Sequence, residues 1–80
     1  MTKNDFIKLY LVSIEKGYNY IGVSVRVKDN PEPEYIINGK GNFENKLAYY
    51  QKAYDENMRL IVNPDIYIDH IITGNTLELL

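Results

Sequence analysis

Residues 18–28, Tyr18-Asn19-Tyr20-Ile21-Gly22-Val23-Ser24-Val25-Arg26-Val27-Lys28, decide how this chain folds. Ile21, Val23, Val25 and Val27 occupy every second position, and Tyr18, Tyr20, Gly22, Ser24, Arg26 and Lys28 occupy the others. Side chains alternate across a strand, so the pattern predicts a β-strand with one apolar face for the core. The second face carries two aromatics, a glycine, a serine and two cations. It is the best candidate in the sequence for a working surface.

Working outward, residues 29–33 (Asp-Asn-Pro-Glu-Pro) have turn chemistry: the residue before a proline is held extended, and neither proline can donate to a sheet ladder. Residues 34–38 then predict a short strand, most simply the hairpin partner of the first. The register of that hairpin, and with it the face taken by Tyr35, stays open. Upstream, residues 2–16 predict a helix. Thr2 with Asp5 three positions on resembles a capping box, and Gly17 follows as a helix stop. Phe6, Ile7, Leu9, Tyr10, Leu11 and Ile14 form its apolar arc. A rival reading, a strand over 6–14, draws on β-branched Ile7, Val12 and Ile14.

Downstream, a connecting loop over 39–42 leads to a helix expected over 42–62. Asn42 is its N-cap, and Phe43, Leu47, Tyr50, Tyr54, Met58 and Ile61 form one stripe at three- and four-residue steps. Asn63-Pro64 ends it. Residues 65–73 predict a strand with Ile66, Ile68 and Ile72 on one face and Tyr67, Asp69 and Ile71 on the other, and 76–80 form a short apolar tail. The order helix, strand, strand, helix, strand predicts an α+β two-layer sandwich: a small antiparallel sheet with two helices on one face.

Eighty residues make one domain, 1–80, with a modest core: a chain this short buries roughly 60–65% of its unfolded surface. The absence of cysteine points to a reducing cytoplasm, and neither a signal-peptide pattern nor a membrane-spanning apolar run is expected. Net charge is −2, which argues against a general nucleic-acid binder. Ile, Asn, Lys and Tyr supply 34 of the residues, all read from AT-rich codons, which suits an AT-rich bacterium or its phage.

No constellation points to catalysis. His70 is the only histidine, Asp69 beside it is expected on the opposite face of the strand, and neither Ser13 nor Ser24 sits in a nucleophile motif. The acidic patch Asp29, Glu32 and Glu34 lacks calcium-loop spacing and reads as a solvated turn. Asn38-Gly39-Lys40-Gly41-Asn42 lacks the length and hydroxyl of a phosphate loop. No metal and no cofactor are expected.

Eight tyrosines and no tryptophan remain to be placed. Tyr10, Tyr50 and Tyr54 belong to the core and Tyr49 is half exposed. The interaction face is Tyr18, Tyr20, Ser24, Arg26, Lys28 and Tyr67, with Gly22 leaving a gap for close approach. Tyr and Arg favour protein interfaces. The expected function is therefore a non-enzymatic protein-interaction module that binds a protein partner or itself as a homodimer. Its size, composition and acidity suit a phage- or mobile-element-encoded accessory or inhibitor protein. The alternative is single-stranded nucleic-acid binding, with bases stacked on the same face.

Overall fold

In the computed structural model, the described residues, 1–76, form two α-helices, α1 (Lys3–Glu15) and α2 (Phe43–Ala53), and four strands: β1 (Tyr20–Val27), β2 (Glu34–Gly39), β3 (Arg59–Leu60) and β4 (Asn63–Gly74). The strands make one antiparallel sheet in the order β2-β1-β4-β3, and both helices pack on one face of it. This is the expected α+β arrangement with one short strand, β3, added. The tail expected over 76–80 lies, from residue 77 on, outside the described residues.

α1 starts where its cap dictates. Thr2 is extended, and its hydroxyl accepts a hydrogen bond from the Asp5 amide at 3.1 Å. It stops at Gly17, whose φ of 82° is the left-handed value that glycine adopts without strain. Its buried line is Phe6, Tyr10 and Ser13, with Ile7 and Ile14 packed alongside. Leu9 and Leu11, expected in the apolar arc, are about half exposed, because the sheet meets a narrower stripe than the arc spans.

The core between helices and sheet is aromatic. Phe6 meets Tyr50 edge-on with ring centroids 5.4 Å apart, and Tyr10 meets Phe43 at 6.2 Å and Tyr50 at 6.3 Å. Such edge-to-face pairs add about 0.5–1.5 kcal/mol each beyond the area they bury. Ile21, Val23, Val25 and Ile68 form the sheet's side of this core. Val27, the last residue of β1's apolar series, is exposed because it lies where the strand runs out from under the helices. Asn38 of β2 reaches inward, and its amide donates to the Tyr50 hydroxyl at 3.3 Å.

α2 ends at Ala53, well short of the expected 62. A 3-10 turn (Lys40–Asn42) leads into it, so Asn42 stands at the N-cap position without a side-chain cap bond. Tyr54 is already extended and pairs with Leu60. Asp55 stops the helix: its carboxylate accepts from the amides of Asn57 at 2.9 Å and Arg59 at 3.0 Å, building a turn in place of another helical turn. These bonds favour the ionised carboxylate and hold the Asp55 pKa below its usual value. Met58 then takes a left-handed backbone, φ 56°, and drops fully into the core. Tyr54 and Met58 are thus buried at the positions a longer helix would bury, but by an extended residue and a turn. Ile61, expected at the end of that stripe, is exposed on the turn between β3 and β4, and Asn63-Pro64 opens β4 where a helix end was expected.

Two expectations follow. Met58→Ala, which empties a fully buried site, lowers unfolding free energy by about 2–5 kcal/mol in denaturant titration. Burial pushes the Tyr10 and Tyr54 phenols up from 10.0 to about 12, helped by neighbouring tyrosines, and raises Tyr50 as well. The folded chain holds these protons more tightly than the unfolded chain. Their contribution is therefore intact below pH 10 and is lost as pH climbs towards 12. Phenolate absorbance should show a late-titrating class that ionises together with loss of helical signal. One class titrating near pH 10 with the fold intact contradicts this.

Candidate functional site: the outer face of the sheet

Both helices pack on the inner face, and among the described residues no helix covers the outer face. Its composition follows from the register. Tyr20 lies between Gly39 and Gly74, Gly22 between Ile37 and Ile72, and Ser24 between Tyr35 and His70; Arg26 lies beside Tyr67, which in turn pairs with Arg59. Across each of the first three rows, large and small residues alternate. β1 supplies the small one in the middle of two rows and the large one in the third.

This packing revises the role of two residues expected to meet a partner. Gly22 is buried, and a Cβ there would lie 3.0 Å from Ile72 Cγ1 and 3.7 Å from Ile37 Cγ1. The expected gap is filled by the protein's own isoleucines. Ser24 is 0% exposed, and among the described residues its hydroxyl has no hydrogen-bond partner. The Tyr35 and His70 rings on either side of it meet edge-on at 6.2 Å. Ser24 is a floor for that aromatic pair and cannot touch a partner.

The β4 residues do not alternate as their sequence suggests. Ser24 pairs with His70 and Val25 with Ile68, so Asp69 is an extra residue, a β-bulge. Beyond it the faces swap: Ile71 packs against the core and Ile72 lies outside, the reverse of the expected placement. The bulge also corrects the expectation that Asp69 and His70 point apart. His70 Nδ1 lies 2.9 Å from Asp69 Oδ1, without the alignment of a hydrogen bond, and Asp69 Oδ2 lies 3.9 Å from Arg26 Nε.

Of the remaining expected residues, Tyr20 and Arg26 stand half-buried on this face, and Tyr18 is half-buried just before β1. Lys28 is exposed on the turn after β1, its amide donating to the Asp65 carbonyl at 2.9 Å. Tyr67 lies under the Arg59 guanidinium, 5.0 Å from ring centre to carbon, while Arg59 Nη1 donates to the Pro64 carbonyl at 3.0 Å. Arg26, Lys28, Arg59 and Tyr67, with Asp29 and Asp65, line an open cleft of about 850 Å³ at this end of the sheet. Asp29, Glu32 and Glu34 are all exposed in and beside the hairpin turn, where Asp29 adopts φ 67°.

The residues that sequence reasoning left out are Tyr35, Ile37, His70 and Ile72. Tyr35 and Ile37 are 45% and 39% exposed, and the His70 side chain is 46% exposed. Hairpin pairing of Glu34–Gly39 with β1 puts Tyr35 and Ile37 outside, but no sequence signal announces the bulge that places His70 and Ile72. A second apolar surface lies at the other layer: Tyr49 on α2, half exposed as expected, with Ile61 and Val62 at the β3–β4 turn.

Among the described residues, no three His, Asp or Glu side chains gather closely enough to hold a metal ion, and no helix is long and apolar enough to cross a membrane. No family model matches the chain, and no curated protein or solved structure is significantly similar to it.

Ser24 yields a direct test. An unpartnered buried hydroxyl costs about 1–3 kcal/mol. Ser24→Ala should therefore leave the melting temperature unchanged or raise it, against the usual destabilisation of about 1 kcal/mol for a point substitution. A clear drop would show that the hydroxyl has a partner.

Proposed function

We infer that this protein is a non-enzymatic protein-interaction module whose working surface is the outer face of the sheet. One observation carries the reading: aromatic and aliphatic side chains, Tyr35, Ile37, Tyr20 and Ile72, share the face opposite the two helices. Contiguous apolar surface rimmed by polar groups is the pattern of contact sites, and tyrosine adds area with a hydrogen-bonding tip. Arg26, Arg59 and Lys28 form the rim at one end. A binder of this size, encoded by a phage or mobile element and acting in the cytoplasm as an accessory or inhibitor, fits the composition.

The nucleic-acid alternative would use the same aromatics as a base-stacking platform. The charges favour the protein partner. Arg26 faces Asp69, Arg59 is engaged by the Pro64 carbonyl and the Tyr67 ring, and Asp29 and Asp65 share the cationic cleft. Phosphates would meet an interspersed surface rather than a continuous basic one.

A photo-crosslinking side chain in place of His70 probes the middle of the face, and one in place of Glu44 on α2 serves as control. The expected result, in the cells that make the protein, is a discrete adduct with another polypeptide from the His70 position and none from Glu44. Equal yields from both positions, or adducts to nucleic acid alone, would contradict the reading.

A further inference from the structure

The edge of the sheet carries a separate inference, which stands whether or not the outer face has a partner. β2 is an outermost strand, six residues long, and among the described residues no other strand pairs with its free side. The opposite edge, β3, is only two residues long. Natural edge strands are usually blunted by lysines, prolines, bulges or shortness. Glu34–Gly39 contains no lysine and no proline, pairs with β1 without a break in register, and displays Tyr35, Ile36 and Ile37 as three consecutive exposed apolar residues. Such an edge is a template for strand addition.

We propose that the occupant of this edge is a second copy of the chain, joined through antiparallel β2–β2 pairing about a two-fold axis at Ile37. The geometry restricts the choice. A two-fold that sets two copies of one edge strand antiparallel runs perpendicular to the sheet and keeps every side chain on its own face. Only registers centred on a residue satisfy this. Centring on Ile37 sets Ile37 against the second copy's Ile37, Tyr35 against its Gly39, Ile36 against its Asn38, and Glu34 against its Lys40.

Three of these four matches have a reason. The Ile37 contact joins the two Ile72–Gly22–Ile37 rows into one apolar band across six strands. Gly39 has no side chain and already has Tyr20 against it, with Tyr20 Cε1 3.8 Å from the position of a Cβ; Tyr35 of the other copy would cover its free side. Glu34, at the start of β2, and Lys40, the residue just past its end in the 3-10 turn, are both exposed and opposite in charge, and the two-fold brings them together twice. Centring on Ile36 instead sets Pro33, which has no amide proton, against Gly39 and takes Ile37 off the axis, opposite Tyr35.

The test is sedimentation of the purified chain over a range of concentrations, with circular dichroism confirming that each variant folds. The wild type should form a dimer as concentration rises, and Ile37→Lys, which places two like charges at the axis, should remain a monomer. Glu34→Lys should weaken association by setting like charges opposite each other, and adding Lys40→Glu to that variant should restore it. Because the chain has no cysteine, a single introduced one reports only on itself. Ile37→Cys should form an intermolecular disulfide under mild oxidation and Ile36→Cys should not. A wild type that stays monomeric throughout, a charge swap that fails to restore association, or crosslinking from Ile36→Cys in place of Ile37→Cys would overturn the proposal.

Discussion

The bulge at Asp69 governs this molecule's two faces. β4 is the longest strand and lies beside β1 at the centre of the sheet. Side chains alternate along a strand, so one inserted residue reverses the face of everything beyond it. Before the bulge, Ile66 and Ile68 point into the core and Tyr67 points out. After it, Ile71 points in, and His70 and Ile72 point out. Were Asp69 instead paired in regular alternation, Ile72 would sit under the helices and Ile71 would lie outside. Asp69 and His70 come together for the same reason, which places a carboxylate between an imidazole and Arg26 on the rim of the open face.

The small residues of β1 depend on this placement. Gly22 and Ser24 are small because Ile37 and Ile72 close over one, and Tyr35 and His70 over the other. The outer face is thus partly packed in its own right, with its large side chains drawn from β2 and β4. On the inner face the arrangement is the reverse: Ile21, Val23 and Val25 of β1 fill the space below an aromatic cluster shared by α1 and α2. One strand therefore contributes bulk to one layer and room to the other.

Much of this can be read from the residues in order. The alternation over 18–28 defines β1 and its core face, the Thr2 cap and Gly17 stop bound α1, and the proline-rich turn sets up the β1–β2 hairpin. The rest depends on partners distant in sequence. Nothing around Asp69 and His70, neither glycine nor proline, announces a bulge. The burial of Ser24 is decided by rings on two other strands. The end of α2 is hidden because Tyr54 and Met58 keep helical spacing, while the interaction that stops the helix is one carboxylate, Asp55, bonding the backbone ahead of it. The alternation of β1 identifies the outer face of the sheet, but the most exposed apolar members of that face, Tyr35 and Ile37, come from the neighbouring strand.

Through-space proton NMR tests the bulge most directly. The account predicts cross-peaks from the Ile72 methyls to the Gly22 α-protons and the Ile37 side chain, together with contact between the His70 and Tyr35 rings and none between Ile71 and Ile37. Cross-peaks linking Ile71 to Ile37 and Gly22, with Ile72 instead contacting the aromatic core, would contradict it.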